Sequence, residues 1–252
     1  MRLTVIGCSG SYPGPDSPAS CYLLEAPDAE GRICRVVVDL GNGALGALQR
    51  YADPLAIDAV LLSHLHVDHC VDLTSYYVLR RYHPSGAQPS IPVYGPSDTA
   101  GRMARAYDLP EDPGMTGEFE FRTYDGPFRL GPFGVTPVPV DHPVEAYGLR
   151  IEAAGVTLAY TGDTGPTDAL VELARDADLL LSEASFRHHD ENPDGVHLTG
   201  GEAGEVATRA GVRRLVLTHI PPWHDAEAIR AEAGRAYSGP LELAAPGATY
   251  DL

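Results

Sequence analysis

The sequence predicts an α+β fold in which two β-sheets pack face to face and helices cover their outer faces. Three observations favour this fold. Strand patterns recur in both halves of the chain, helical patterns lie between them, and strand patterns continue after each Pro- and Gly-rich segment. Those segments are therefore predicted to be loops and not domain linkers. Because stacked layers bury the apolar face of every element, we expect residues 1–252 to form a single domain.

The first half of the chain is predicted to be rich in strands. A strand over Leu3 to Ile6 ends in a glycine-rich turn, and a polar turn joins the next two strands as in a hairpin. The segments His83 to Pro92 and Asp108 to Gly117 are rich in Pro, Gly and Ser, which predicts loops. The predicted strands cover residues 3–6, 21–25, 33–39 and 59–62, and the predicted helices cover 45–51 and 71–82.

The second half alternates strands with helices. Its clearest helix covers Thr199 to Ala210, where Thr199 and Glu202 form a capping-box pattern. Gly211 stands where a helix-ending glycine belongs. The other predicted helices cover residues 167–175 and 225–236, and the predicted strands cover 135–140, 149–152, 156–160, 179–181 and 215–217.

Composition and charge restrict the class of protein. Hydrophobic residues make up 44% of the chain, which is enough for a substantial core. The formal net charge of −17 argues against a general nucleic-acid binder, because such a protein needs a basic surface. A small anionic substrate held by metal ions suits this charge better. We therefore expect no long nucleic acid as partner.

Membrane and compartment signals point to a cytoplasmic protein. No apolar run approaches the roughly 18 residues of a membrane span, and the N-terminus turns polar too early for a secretory signal. The four cysteines show no C-x-x-C spacing, which predicts reduced thiols.

The segment from Ser63 to His69 carries the strongest chemical signal. His64, His66, Asp68 and His69 lie within six residues, directly after a predicted buried strand. On a turn, His64 and His66 can face one metal ion while Asp68 and His69 face another. Neutral imidazole and carboxylate groups suit zinc, and also manganese or iron.

Three more candidate ligands share one context. His142, Asp163 and His219 each follow a predicted strand, and α/β enzymes place their chemistry at the carboxyl ends of strands. A single histidine at a strand end is more typical of an ordinary polar residue. Together with the first four, these residues complete a set of seven ligands for two divalent metal ions.

This pattern resembles that of the metallo-β-lactamase superfamily. The likeness rests on the H-x-H-x-D-H motif at His64 to His69, on His142, on Gly162-Asp163 and on His219. The resemblance implies an αββα fold and a hydrolase with two metal ions. It implies that one ion binds His64, His66 and His142, that the other binds Asp68, His69 and His219, and that Asp163 bridges both.

Further motifs are similar to those of the ribonuclease Z branch. Asp39 to Gly43 resembles its D-x-G-x-G element, Ser182 to Phe186 its H-E-A-T-F element, and His197 to Thr199 its H-S-T element. The resemblance implies that His197 contacts the phosphate and aids proton transfer, oriented by Glu183. Asp68 would also orient the attacking water or accept its proton. The branch further implies a homodimer.

One departure from that branch affects the substrate. Its enzymes insert a long tRNA-binding arm between the residues that match His142 and Asp163, where this chain has only 20 residues. The segments 7–11, 14–20 and 217–223 resemble actinobacterial short-form members, some of which are described as atypical class II cyclic-nucleotide phosphodiesterases. This narrower resemblance implies a phosphodiesterase acting on cAMP or another small phosphodiester.

Three alternatives stay open. They are ribonuclease Z-like processing of RNA 3′ ends, a lactonase or thioesterase activity, and a metal-binding scaffold without catalysis. Tyr12 and Trp223 are candidates for stacking a base or for ordinary rim packing. His188 and His189 are candidates for bordering the pocket, whereas His83 and His224 are predicted to lie solvated in loops.

Overall fold

The structure is a computed structural model that describes residues 1–188 and 190–252. It contains two mixed sheets of seven strands each. The described strands are β1 (Arg2–Gly7), β2 (Cys21–Pro27), β3 (Ile33–Val38), β4 (Ala59–Leu61), β5 (Ile91–Gly95), β6 (Phe119–Thr123), β7 (Phe128–Leu130), β8 (Phe133–Pro139), β9 (Tyr147–Ala153), β10 (Val156–Tyr160), β11 (Leu179–Glu183), β12 (Leu215–Thr218), β13 (Leu241–Leu243) and β14 (Thr249–Asp251). The described α-helices are α1 (Ala44–Leu48), α2 (Val67–Cys70), α3 (Asp72–Tyr82), α4 (Thr99–Ala106), α5 (Ala169–Ala174), α6 (Gly200–Ala210) and α7 (Ala226–Ala236).

Each sheet is part antiparallel and part parallel. The first has the order β14-β1-β2-β3-β4-β5-β6, and its strands β3 to β6 run parallel. The second has the order β13-β12-β11-β10-β9-β8-β7, and its strands β10 to β13 run parallel. Strand β8 has the same direction as β10 because both pair antiparallel with β9. The carboxyl ends of β8, β10, β11 and β12 therefore meet at one edge of the second sheet.

Alternation along the strands builds three apolar layers. In β3, Val36 and Val38 pack between the sheets while Val37 faces the helices α1 and α3. In β11, Leu179 and Leu181 pack between the sheets, and Leu180 belongs to the layer under α5, α6 and α7. Successive side chains of a strand point to opposite faces, so a fully apolar strand buries both sides. The predicted αββα architecture is confirmed.

Most predicted elements occur within a few residues of their expected ends. The helix α6 has the complete capping box between Thr199 and Glu202, and Gly211 ends it at φ 69°. The loop predicted over His83 to Pro92 is wrong at its end, because Ile91 and Pro92 begin β5, which pairs with both β4 and β6. The helix α4 and the strands β6, β7, β13 and β14 were not predicted.

Two further features concern the helices and the cysteines. Across residues 1–188 and 190–252, every helix is too short or too polar to cross a bilayer. The four cysteines all carry free thiols, and three of them are buried.

Candidate metal centre

The predicted ligands meet where the strands end. The segment from Ser63 to Cys70 follows β4 in the first sheet, and His142, Asp163 and His219 follow β8, β10 and β12 in the second. These three strands point to the same edge of their sheet. All seven side chains consequently converge between the two sheets, in two groups that share Asp163.

The first group surrounds the ring of His66. Its Nδ1 lies 3.0 Å from His64 Nε2 and 3.1 Å from His142 Nε2. Asp163 Oδ2 lies 3.6 Å from His64 Nε2. Three imidazole nitrogens and one carboxylate oxygen thus point at a common centre.

The second group surrounds His219. Its Nε2 lies 3.1 Å from His69 Nε2 and 3.0 Å from Asp68 Oδ2. Asp163 also joins this group, with Oδ1 3.2 Å from His69 Nε2 and Oδ2 3.4 Å from His219 Nε2. The Asp163 carboxylate therefore stands between the two groups, as the bridging role requires.

Hydrogen bonds on the far side of four rings fix which nitrogen faces the centre. His142 donates from Nδ1 to the carbonyl of Val196 over 2.9 Å. The Nδ1 of His219 lies 2.8 Å from the Ser185 hydroxyl, which donates to the His219 carbonyl and therefore accepts from the ring. His64 and His69 are held in the same way by Ser63 and Asp39. Each Nε2 is left with a lone pair directed at the cluster.

The cluster has the features of a cation site. The Nε2 atoms of His69 and His219 face each other at 3.1 Å, and the carboxylates of Asp68 and Asp163 lie beside them. Asp163 Oδ1 is buried and has no hydrogen-bond partner among the described residues. Ligands about 2.0–2.1 Å from a tetrahedral zinc ion lie about 3.3 Å apart, close to the spacing found here. These residues fit two divalent metal ions.

The charge of the cluster leads to the same conclusion. Burial, helped by the ring of His69, holds the pKa of His64 well below its usual value, which keeps that ring neutral. Burial raises the pKa of Asp163, but the facing rings of His219, His69 and His64 outweigh it and hold the pKa well below its usual value. A neutral imidazole and an ionised carboxylate are the forms that bind metal.

Asp39, the first residue of the D-x-G-x-G-like element, was not predicted to contact a metal ligand, and the structure places it behind His69. Its carboxylate accepts the backbone N–H of Ser63 over 2.7 Å and the hydroxyl of Tyr160 over 2.7 Å, in addition to the His69 ring at 2.8 Å. It is fully buried and holds a left-handed backbone at φ 56°. Asp39 follows the end of β3, beside β4, in the same strand-end position as the predicted ligands His142, Asp163 and His219.

Two glycines allow the loops of the centre to approach each other. A Cβ on Gly41 would lie 1.9 Å from the carbonyl oxygen of Asp68, and one on Gly10 would lie 2.2 Å from that of His219. His219 itself has φ 55°, a conformation that costs a non-glycine residue of order 1–3 kcal/mol. The surrounding contacts therefore hold this predicted ligand in a strained backbone.

His197 lies beside the cluster without belonging to either group. Its Nδ1 donates to Glu183 Oε1 over 2.9 Å, and the fully buried Glu183 also accepts the backbone N–H groups of Thr164 and Ser185. Burial lowers the pKa of His197, but the Glu183 and Asp163 carboxylates outweigh it and raise the pKa to about 9. Glu183 thus lies behind His197 and fixes the orientation of its ring.

A cavity of about 320 Å³ opens next to His197. Phe186, Asn192 and Asp194 form part of its wall, and the ring of Phe186 stands edge-on to His197 with centroids 5.0 Å apart.

The remaining candidates divide by position. Tyr12 and Trp223 are exposed and stack on each other at the rim. His83 contacts Ser85 in its loop, as expected of a solvated residue. His188 lies near Glu232, to which its backbone N–H donates over 3.2 Å. His189 lies outside the described residues.

Comparison with known proteins identifies the family. The profile of the beta-lactamase superfamily domain matches residues 34–220. The Mycobacterium tuberculosis protein Rv1339 is 48% identical over 257 residues, which cover all of this chain and 92% of that protein. The ribonuclease Z of Myxococcus xanthus is 29% identical over 309 residues, covering all of this chain and 98% of the relative.

A solved structure matches the whole fold. The probable metallo-hydrolase YhfI of Bacillus subtilis is 30% identical over 253 residues, and the alignment covers all of this chain and all of YhfI. The crystal structure of YhfI, described as a metallo-beta-lactamase fold protein, superposes with a TM-score of 0.86 at 29% identity over 99% of each chain.

Proposed function

Because this chain belongs to the beta-lactamase superfamily, whose relatives include metallo-hydrolases, we propose that it is a phosphodiesterase with two metal ions and a small substrate such as a cyclic nucleotide. The observation that carries the proposal is the Glu183–His197 pair beside the two ligand groups. A proton-bearing imidazole next to two adjacent cation sites suits a reaction in which an alkoxide leaves a phosphate.

The proposed ligand assignment follows the two groups. His64, His66 and His142 would hold one ion, Asp68, His69 and His219 would hold the other, and Asp163, which belongs to both groups, would be shared. When bound, two divalent ions lower the pKa of a water and neutralise charge on the phosphate. Zinc is the proposed metal, since histidine and carboxylate ligands suit it.

The protein's own residues supply the positioning and the proton transfers. Asp68 orients the attacking water and accepts its proton while the water oxygen bonds to phosphorus. The bond from phosphorus to the leaving ribose oxygen breaks, and His197 gives its proton to that oxygen. Glu183 keeps the His197 ring in place and favours its charged form. From cAMP and water, the product is AMP.

A small substrate is favoured over tRNA. Between His142 and Asp163 the chain forms only the antiparallel strands β9 and β10, joined at Ala154 and Gly155, so no arm extends there. The net charge of −17 also disfavours a long polyanion. The cavity of about 320 Å³ next to His197 is in the range of small-molecule sites.

The proposal is tested by comparing substrates on the metal-loaded protein. Turnover of cAMP, 2′,3′-cyclic nucleotides, bis(p-nitrophenyl) phosphate, a pre-tRNA, a lactone and a thioester is measured side by side. We expect hydrolysis of cyclic nucleotides and no cleavage of pre-tRNA. Cleavage of pre-tRNA alone would favour the ribonuclease Z alternative. Hydrolysis of the lactone or thioester alone would favour the lactonase or thioesterase alternative. Two bound metals without any turnover would favour the scaffold.

A further inference from the structure

Two large aromatic side chains stay exposed at the rim of the metal centre. The rings of Tyr12 and Trp223 stack with centroids 5.3 Å apart and planes 30° apart. Trp223 is 61% exposed and Tyr12 is 42% exposed. The two stacked rings form a contiguous exposed aromatic surface, a feature typical of ligand-binding and interaction sites.

Backbone hydrogen bonds tie this pair to the predicted ligand His219. The N–H of His219 donates to the carbonyl of Cys8 over 3.0 Å, and the N–H of Gly10 donates to the carbonyl of Ile220 over 3.2 Å. The backbone nitrogen of Ser11 lies 3.4 Å from His219 Nε2. Since consecutive Cα atoms are about 3.8 Å apart, the Cα of Tyr12 lies within about 9 Å of that nitrogen.

The position of Tyr12 is held from both sides. Its N–H donates to the carbonyl of Gly10 over 2.7 Å, and the hydroxyl of Ser9 donates to its carbonyl over 2.7 Å. Gly10 packs so closely on His219 that no side chain fits there. These contacts hold the backbone of Tyr12 close to His219.

We propose that Tyr12 and Trp223 form an aromatic subsite that stacks the heterocyclic base of the phosphodiester substrate. The inference rests on the proposed function and identifies the base as the part of the substrate that this site recognises. In a nucleotide the base lies one sugar away from the phosphate, and the Cα of Tyr12, within about 9 Å of His219 Nε2, lies at a comparable distance from the metal centre. Stacking recognises a neutral aromatic ring and needs no positive charge, which suits a chain of net charge −17.

Trp223 is the single tryptophan of the chain, so its fluorescence reports on this subsite alone. The holoenzyme is titrated with AMP, which carries the base and is not consumed, and with ribose 5-phosphate, which has no base. We expect saturable quenching by AMP and none by ribose 5-phosphate. Stacking on an aromatic side chain strengthens binding roughly 5- to 150-fold, so Tyr12→Leu should weaken the AMP response about tenfold. Equal responses to both ligands, or none, would overturn the subsite.

Turnover gives an independent test. The variant Trp223→Ala is assayed on cAMP and on ribose 3′,5′-cyclic phosphate, which has the same phosphodiester without the base. We expect kcat/KM for cAMP to fall about tenfold and that for the base-free substrate to change less than about twofold. Tyr82→Ala is the matched control, because Tyr82 is 65% exposed on α3. An equal loss on both substrates would contradict the subsite.

The two proposals fail in different ways. If AMP quenches Trp223 but the holoenzyme hydrolyses no phosphodiester, the base subsite stands and the phosphodiesterase proposal falls. If cAMP is hydrolysed but Trp223 neither responds to AMP nor affects substrate choice, the subsite falls and the base binds elsewhere, as in the cavity next to His197. If Trp223 fluorescence changes with protein concentration and not with AMP, Tyr12 and Trp223 form a contact with a second copy of the chain. This result would also overturn the subsite.

Discussion

Glu183 Oε1 lies 2.9 Å from His197 Nδ1, in a part of the protein where Glu183 is fully buried. The ring of His197 stands 5.4 Å from that of His219 and 5.7 Å from that of His142, measured between centroids. A charged pair is thus built beside the two ligand groups without being part of either. Because His197 belongs to neither ligand group, the proposed proton donor and the proposed metal ligands can be tested in separate variants.

Replacing His197 should remove turnover and leave metal binding intact. We expect His197→Gln to lower kcat on cAMP about 10²- to 10⁴-fold, because a positioned general acid contributes that much. Metal content, measured by elemental analysis, should stay at the wild-type value. His83→Gln is the matched control, since His83 lies in a loop with Ser85 as its partner. Full activity of His197→Gln would show that another group protonates the leaving oxygen.

Replacing Asp39 should lower the metal affinity of the site, because Asp39 holds the ligand His69 in position. The Asp39 carboxylate holds His69 by its Nδ1 hydrogen, and loss of such a partner costs about 10- to 100-fold in metal affinity. We expect Asp39→Asn to show that loss in a chelator competition titration. Asp168→Asn serves as control, because Asp168 is exposed and pairs with Arg209. An unchanged metal affinity in Asp39→Asn would contradict the role given to Asp39.

Removing the metal should destabilise the protein. A ligand present at about 100 times its Kd stabilises the native state by about 2.7 kcal/mol, which corresponds to about 5–10 °C in Tm for a chain of this length. We expect a chelator to lower the Tm of the wild type by that amount. In Asp163→Ala the difference should nearly vanish, because the bridging carboxylate is lost. Equal Tm values for the wild type with and without metal would be incompatible with these ligand assignments.

Thr199 should affect stability and not catalysis, although it lies two residues after His197. Its side chain accepts the N–H of Glu202 and caps α6. We expect Thr199→Ala to lower the free energy of unfolding by about 1 kcal/mol, measured by denaturant titration. The kcat of the folded variant should match that of the wild type. A kcat loss as large as that of His197→Gln would mean that Thr199 also takes part in catalysis.

The fold was predictable where apolar runs and caps are strong. The strand β10 and the capped helix α6 match their predicted patterns because local sequence and packing agree there. The strand β5 was missed because Ile91 and Pro92 belong to a Pro-rich segment, and their strand exists through its pairing with β4 and β6. The helix α4 contains Gly101, which weakens a helical pattern read from sequence alone.

The site was predictable to the extent that its residues form a motif. Four of the seven predicted ligands lie within His64 to His69, and the spacing itself indicates a metal site. Asp39 and Ser185 belong to motifs that the sequence shows, but their contacts with His69 and His219 join residues 30 and 34 positions apart, and the motifs do not reveal these partners. The stacking of Tyr12 on Trp223 likewise depends on two loops that only the folded chain brings together.

The most direct test of the two-metal account is a titration of the metal-free protein with zinc while hydrolysis of cAMP is followed. The account predicts that activity reaches its plateau at two ions per chain, with little turnover at one. A plateau at one ion per chain, or full hydrolysis in the presence of a strong chelator, would contradict it.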